Sequence, residues 1–207
     1  MLEIKDAVLS LGGDRRLSGL SFVVPDGKLT ALYGAAHTGK SAVIGALMCF
    51  GPLDAGYVTL DGEPVAPATV GYFRSRMAYV PQHCSAPGPI SVAQLFELLM
   101  KSRDGKYAIP SPDEAMAAWS GLQIDKSLWT ACLDDVPEIM RRRVLLSFVA
   151  CMKRRVLIAD EPDTGQPDDV IEAMMSLLRS AASSGAAVLI STRNRRVAER
   201  CDGIVEL

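Results

Sequence analysis

Residues 34–41 read Gly-Ala-Ala-His-Thr-Gly-Lys-Ser and follow directly on the apolar run Leu29–Tyr33. The spacing Gly-x-x-x-x-Gly-Lys-Ser is that of a loop that wraps a phosphate, and it constrains the fold more than any other feature of the chain. Such a loop works between a strand and a helix: the strand aims it, and the helix N-terminus adds its dipole to converging backbone N–H groups. The surroundings agree, because Lys40 to Phe50 places Val43, Ile44, Leu47 and Met48 at helical spacing. The loop Gly34, Ala35, Ala36, His37, Thr38 and Gly39, with Lys40, Ser41 and Ala42 opening the helix, is the expected phosphate cradle. Lys40 would reach the β- and γ-phosphates of a nucleotide, and the Ser41 hydroxyl would ligate Mg²⁺. Two residues fit less well. His37 stands where these loops usually carry another glycine, and Ala42 lacks an expected second hydroxyl.

The rest of the chain predicts an α/β fold of the P-loop NTPase kind. "LEIKDAVLSL", "GLSFVVPDGK" and "LTALYG" read as strands, with a turn at Pro25-Asp26-Gly27. "AGYVTLDGEPV" predicts a hairpin bent at Asp61-Gly62, and "RMAYVPQ" a further strand. From about 91 to 133 the pattern becomes helical, with plausible N-caps opening "SVAQLFELLMKS" and "SPDEAMAAWSGL". A helix from about Glu138 to Lys153, the buried strand "RVLIADEP", a helix around Val170–Ala182, the strand "AAVLIST", a short helix and "GIVEL" complete the order. This predicts one domain over residues 1–207, with a helical subdomain inserted at about 90–135 and Trp119 and Trp129 in its small core.

Composition narrows the function. A net charge of −2 gives no basic field to recruit nucleic acid or anionic membrane. Five cysteines without a Cys-x-x-Cys pair predict reduced, packed thiols in a cytoplasmic protein. No leader-like segment opens the chain, and the longest apolar stretch, Val144–Met152, is too short to span a bilayer. Any membrane role would need another chain. His37, His83 and Cys84 fit no usual metal-ligand spacing.

Asp160 and Glu161 end the apolar strand "VLIA". A strand running into a polar turn would look the same. Downstream of a phosphate loop, however, Asp160 suits the Mg²⁺ shell and Glu161 suits a general base polarising the attacking water.

On these residues the chain resembles the ATP-binding cassette (ABC) family of nucleotide-binding domains over essentially its full length. "LSGLSFVVPDGKLTALYG" and "GPLDAGYVTLDGEPV" are similar to the family's approach to the phosphate loop and its next β segment. "AYVPQ" resembles the Q-loop, which implies that Gln82 senses Mg²⁺ and the γ-phosphate, and "VLIADEP" resembles the Walker B strand. The resemblance implies ATP and Mg²⁺ as ligands, catalytic roles for Glu161 and Gln82, and metal contacts from Ser41, Gln82 and Asp160. It also implies a head-to-tail dimer with a second cassette, and a membrane permease contacted through the helical subdomain.

The departures are as informative. The family signature, Leu-Ser-Gly-Gly-Gln, should precede Arg141–Val144, but the chain reads Val136-Pro137-Glu138-Ile139-Met140. Pro137 removes a backbone donor and Glu138 adds negative charge facing phosphate. Arg193 replaces the switch histidine, Pro167 replaces the D-loop aspartate, and no adenine-stacking aromatic stands near Leu11. Arg193 could supply transition-state charge as arginine fingers do, or be a solvated member of the cluster with Arg195 and Arg196. Two functions follow: the ATP-binding subunit of an ABC-type transporter or related assembly, hydrolysing ATP slowly or only in complex, or a nucleotide-regulated structural partner of an active ATPase. A small phosphoryl-transfer kinase fits poorly, since Lys40 lies 120 residues before Asp160.

Overall fold

Two strands are buried along their whole length, and the molecule is arranged around them. β7 (Val156–Asp160) and β8 (Ala187–Thr192) have every residue buried, as parallel strands covered on both faces do. In this computed structural model, which describes residues 1–85, 88–101 and 110–207, they sit inside a parallel sheet with β6 (Met77–Val80), β3 (Leu29–Tyr33) and β9 (Gly203–Glu206). The strand order is β6-β7-β8-β3-β9. A second, antiparallel sheet has the order β2-β1-β4-β5, formed by β1 (Leu2–Ser10), β2 (Arg16–Val24), β4 (Ala55–Leu60) and the short β5 (Glu63–Pro64). Asp61 and Gly62 both take positive φ, 54° and 82°, as the two-residue turn between β4 and β5 requires.

Helices α1 (Lys40–Leu47), α2 (Val70–Arg74), α5 (Glu138–Cys151), α6 (Asp168–Ser183) and α7 (Arg195–Ala198) connect the strands. α1 is shorter than expected, because Cys49 turns left-handed at φ 54° and ends it. α2 has no counterpart in the sequence reading, being too short to show a helical period. Between β6 and α5 lie α3 (Val92–Lys101), α4 (Pro112–Met116) and two 3-10 turns, Lys126–Thr130 and Leu133–Asp135. Part of the expected helical insertion, residues 102–109, lies outside the described residues. Ser111 caps α4 in a reciprocal box with Glu114, as the Ser-Pro-Asp-Glu stretch predicts.

Phe96, Trp119, Trp129 and Phe148 pack ring on ring, with centroids 5.1–6.2 Å apart. Trp119 is fully buried, and its indole N–H donates to Ser147 Oγ at 3.0 Å on α5. The helical segment is thereby fastened to α5, the helix that follows Val136 and Pro137. Among the described residues, no helix is long and apolar enough to cross a membrane.

Candidate functional site

Parallel pairing brings three strand ends to one edge. Tyr33 faces Thr192, and Asp160 faces Ser191, so the loops after β3, β7 and β8 leave the sheet together. Ligands bind at this carboxyl edge in open α/β sheets. The loop 34–39 leaves β3 and enters α1 through Gly39 at φ 105°, where a side chain is excluded twice over. The backbone is left-handed, and a Cβ would lie 2.9 Å from Leu11 Cδ2. His37 also lies left-handed, at φ 62°. The backbone there takes the conformation a glycine would take, with an imidazole carried on it. Arg15 holds the turn by donating to the His37 carbonyl at 3.3 Å.

Lys40 is 4% exposed, and its ammonium donates to the carbonyls of Gly34 (2.8 Å) and Ala35 (2.7 Å). It also lies 3.3 Å from Glu161 Oε1. Ser41 Oγ donates to Asp160 Oδ2 at 3.0 Å, a juxtaposition of hydroxyl and carboxylate oxygens of the kind hard divalent cations take. Ser191 Oγ donates to the other oxygen of Asp160 and accepts the Glu161 N–H at 2.9 Å.

Glu161 is the centre of the cluster. Its backbone is left-handed (φ 46°), and it is 3% exposed. Oε1 accepts from Arg193 Nε at 2.7 Å, and Oε2 accepts from Gln82 Nε2 at 3.1 Å and Thr164 Oγ1 at 3.3 Å. Burial alone would push its carboxyl up, but the Arg193 hydrogen bond and charge, with Lys40, hold it below the usual carboxylate range. The Arg193 guanidinium is stabilised in turn, its pKa raised by the bond to Glu161. Nearby Asp163 moves the opposite way, its carboxyl raised by burial despite a 2.8 Å bond from Thr192.

The expected site residues therefore converge: Lys40, Ser41, Gln82, Asp160, Glu161 and Arg193 meet at the sheet edge. Arg193 separates from the basic cluster. Arg195 pairs with Glu199 and Glu206, whereas Arg193 turns to Glu161. A cleft of about 490 Å³ runs from Ser10, Leu11 and Arg15 past the loop to Gln82, Glu161 and Arg193. Leu11 lies at the start of the cleft, against Gly39. Among the described residues no group of three or more His, Cys, Asp or Glu could hold a metal, and His83 Nδ1 lies 2.9 Å from Glu138 Oε1.

Four contributors escaped the sequence reading. Ser191 and Thr164 hold the two acids, and their signal was available, since polar residues end or follow otherwise apolar strands. The sequence assigns Arg142 and Arg143 no role, yet they are only 7% and 5% exposed. Arg142 donates to the carbonyls of Glu161 (3.4 Å) and Thr164 (2.9 Å), and Arg143 to Gln166 Oε1 (2.8 Å) and the Leu122 carbonyl (3.0 Å). α5 is thus bonded directly to the loop that carries Glu161.

The profile of a known family, described as ABC transporter, matches residues 17–164. The chain belongs to the ABC transporter family. A Nod factor export ATP-binding protein I of Burkholderia orbicola is 33% identical over 195 residues, covering 92% of this chain and 62% of the relative. An ABC transporter ATP-binding/permease protein of Mycobacterium tuberculosis is 25% identical over 209 residues, covering all of this chain and 24% of that one. The chain thus spans less than two thirds of the length of either relative. Among solved structures, an ATP-binding subunit of an ABC transporter superposes with a TM-score of 0.86 at 22% identity, covering 100% of this chain and 85% of that one. A dimeric bacterial ABC transporter cassette gives 0.82 at 17% identity, covering 100% and 94%. At such identities these two likenesses establish the fold, that of an ABC cassette.

Proposed function

We propose that this chain is the ATP-binding subunit of an ABC-type transporter or related assembly, holding MgATP at the 34–41 loop and turning it over slowly unless paired with a second cassette. One observation carries the reading: Lys40, Ser41, Gln82, Asp160 and Glu161, which come from three separate stretches of the chain, meet within hydrogen-bonding distance at the carboxyl edge of the parallel sheet. Ser41 and Asp160 would hold Mg²⁺, with Gln82 nearby, and the cation would screen phosphate charge. Lys40 and the loop N–H groups would bind the phosphates, and Glu161 would orient water and take its proton. Base recognition is weak, since Leu11 offers no aromatic face.

Slow turnover follows from the signature segment. Family cassettes work in head-to-tail pairs, and Val136–Met140 offers neither glycine N–H groups nor a neutral face to a partner's nucleotide. A heterodimer with an intact-signature partner leaves one usable site, made from this loop and the partner's signature. A nucleotide-regulated structural subunit is the second reading, favoured by the engagement of Glu161 with Arg193. Titration with labelled ATP and Mg²⁺ should show saturable binding, lost by Lys40→Ala. Turnover by the pure chain should be slow or undetectable and should rise when an intact-signature cassette is added. Equal binding by Lys40→Ala overturns the site, and vigorous turnover by the chain alone overturns the dependence on a partner.

A further inference from the structure

We propose that the Glu161 carboxylate serves as an internal occupant of the terminal-phosphate position, held over Lys40 by Arg193, so that a nucleoside triphosphate must displace it and a diphosphate need not. This rests on the nucleotide-binding reading of the same cleft and assigns Arg193 a role in telling the two ligands apart.

The valences make the argument. An ammonium has three N–H donors, and those of Lys40 face the Gly34 carbonyl, the Ala35 carbonyl and Glu161 Oε1. A carboxylate offers about four acceptor sites, and Glu161 meets Arg193, Lys40, Gln82 and Thr164. Both groups are saturated by each other and their neighbours. As held, Glu161 has no lone pair left to accept a proton from water, and Lys40 has no donor left for a phosphate oxygen.

The position is built rather than incidental. Glu161 keeps a left-handed backbone that a glutamate adopts at a cost, and it is fixed by its N–H bond to Ser191. Arg193 follows β8 directly, and the Asp160–Ser191 register brings it beside the residue that follows β7. A terminal phosphate reaching Lys40 would bring a second anion against Glu161. Displacement would free Glu161 to act on water and leave Arg193 beside the phosphate, so that the inhibiting contact and the competent arrangement use the same residues. A diphosphate, lacking that group, leaves the Glu161–Arg193 pair in place.

The test compares equilibrium binding of ADP and of a non-hydrolysable ATP analogue to the full chain with Mg²⁺, checking the fold of each variant by thermal melting. The wild type should bind the triphosphate no more tightly than ADP. Glu161→Gln should raise triphosphate affinity at least about tenfold, the lower end for close charge pairs, and change ADP affinity little. Adding Arg193→Ala to that variant should reverse part of the gain, because Arg193 then faces phosphate. In the wild type the Glu161 carboxyl carbon resonance should move with the triphosphate analogue and not with ADP. An equal gain for both nucleotides, no gain, or a resonance that responds alike to both overturns the proposal. Failure of both nucleotides to bind wild type and Glu161→Gln overturns the nucleotide-site reading with it.

Discussion

His37 shows how a single residue can depart from a motif without breaking it. Its backbone lies at φ 62° and its side chain is exposed, so the loop needs the left-handed turn and not the absence of a side chain. A non-glycine residue meets a penalty of about 1–2 kcal/mol there, and glycine offsets much of that gain through greater freedom in the unfolded chain. His37→Gly should therefore leave stability within about 1 kcal/mol of wild type in urea denaturation. His37→Val, branched at Cβ, should lose roughly 1–2 kcal/mol and weaken nucleotide binding. A His37→Val protein as stable as wild type would show that the turn does not constrain the loop. At this scale the glycine–lysine spacing was readable because it is local. Arg193 was ambiguous in the sequence because its partner, Glu161, is 32 residues away, and only the strand register brings them together.

Among the elements, α5 opens on the segment we propose to be a degenerate signature. Pro137 caps its N-terminus without a side-chain hydrogen bond, and Glu138 opens the first turn. The helix dipole favours an anionic residue there by about 0.3–1 kcal/mol. Against a partner's triphosphate the same carboxylate would cost about 4 kcal/mol at roughly 4 Å in a surface-like dielectric. Repulsion outweighs the dipole. In a Glu161→Gln background, combining Pro137→Ser, Glu138→Gly, Ile139→Gly and Met140→Gln should promote ATP-dependent dimers in size-exclusion chromatography. A variant that remains as monomeric as its parent would mean that Pro137–Met140 does not stand at the signature position, or that Arg193 or Pro167 blocks pairing independently. Loss of the Glu138–His83 contact matters little, because both side chains are exposed and solvent screens their attraction. The strands and α5 were legible from apolar runs and helical spacing. The burial of Arg142 and Arg143 was not, since three consecutive arginines give no sign that two point inward to backbone carbonyls.

Across the whole molecule, Arg155 ties the two sheets. It precedes β7, and its guanidinium grips both oxygens of Asp61 in the β4–β5 turn (2.8 and 3.2 Å) and one of Asp26 before β3 (2.8 Å). The Arg155 hydrogen bond, helped by the Met1 ammonium, lowers the Asp61 pKa from 3.8 to about 2. Because the folded value is depressed, this stabilisation is present above pH 3.8 and is lost as pH falls toward about 2. Arg155→Ala should lower the melting temperature at pH 7 by roughly 1–4 °C, as an exposed pair worth under about 1 kcal/mol implies. The difference should close as the pH is lowered from 4 to 2, and a gap constant across that range would remove Asp61 from the explanation. The order of elements could be read from the sequence, but this tie could not: it depends on which loops the two sheets bring side by side. The two tryptophans of the chain, Trp119 and Trp129, give the architecture an optical consequence. Both pack against Phe148 of α5, Trp119 donates a hydrogen bond to Ser147 of the same helix, and Arg142 nearer the helix N-terminus holds the Glu161 carbonyl. Tryptophan emission should therefore respond to changes in the packing of α5 against the helical segment.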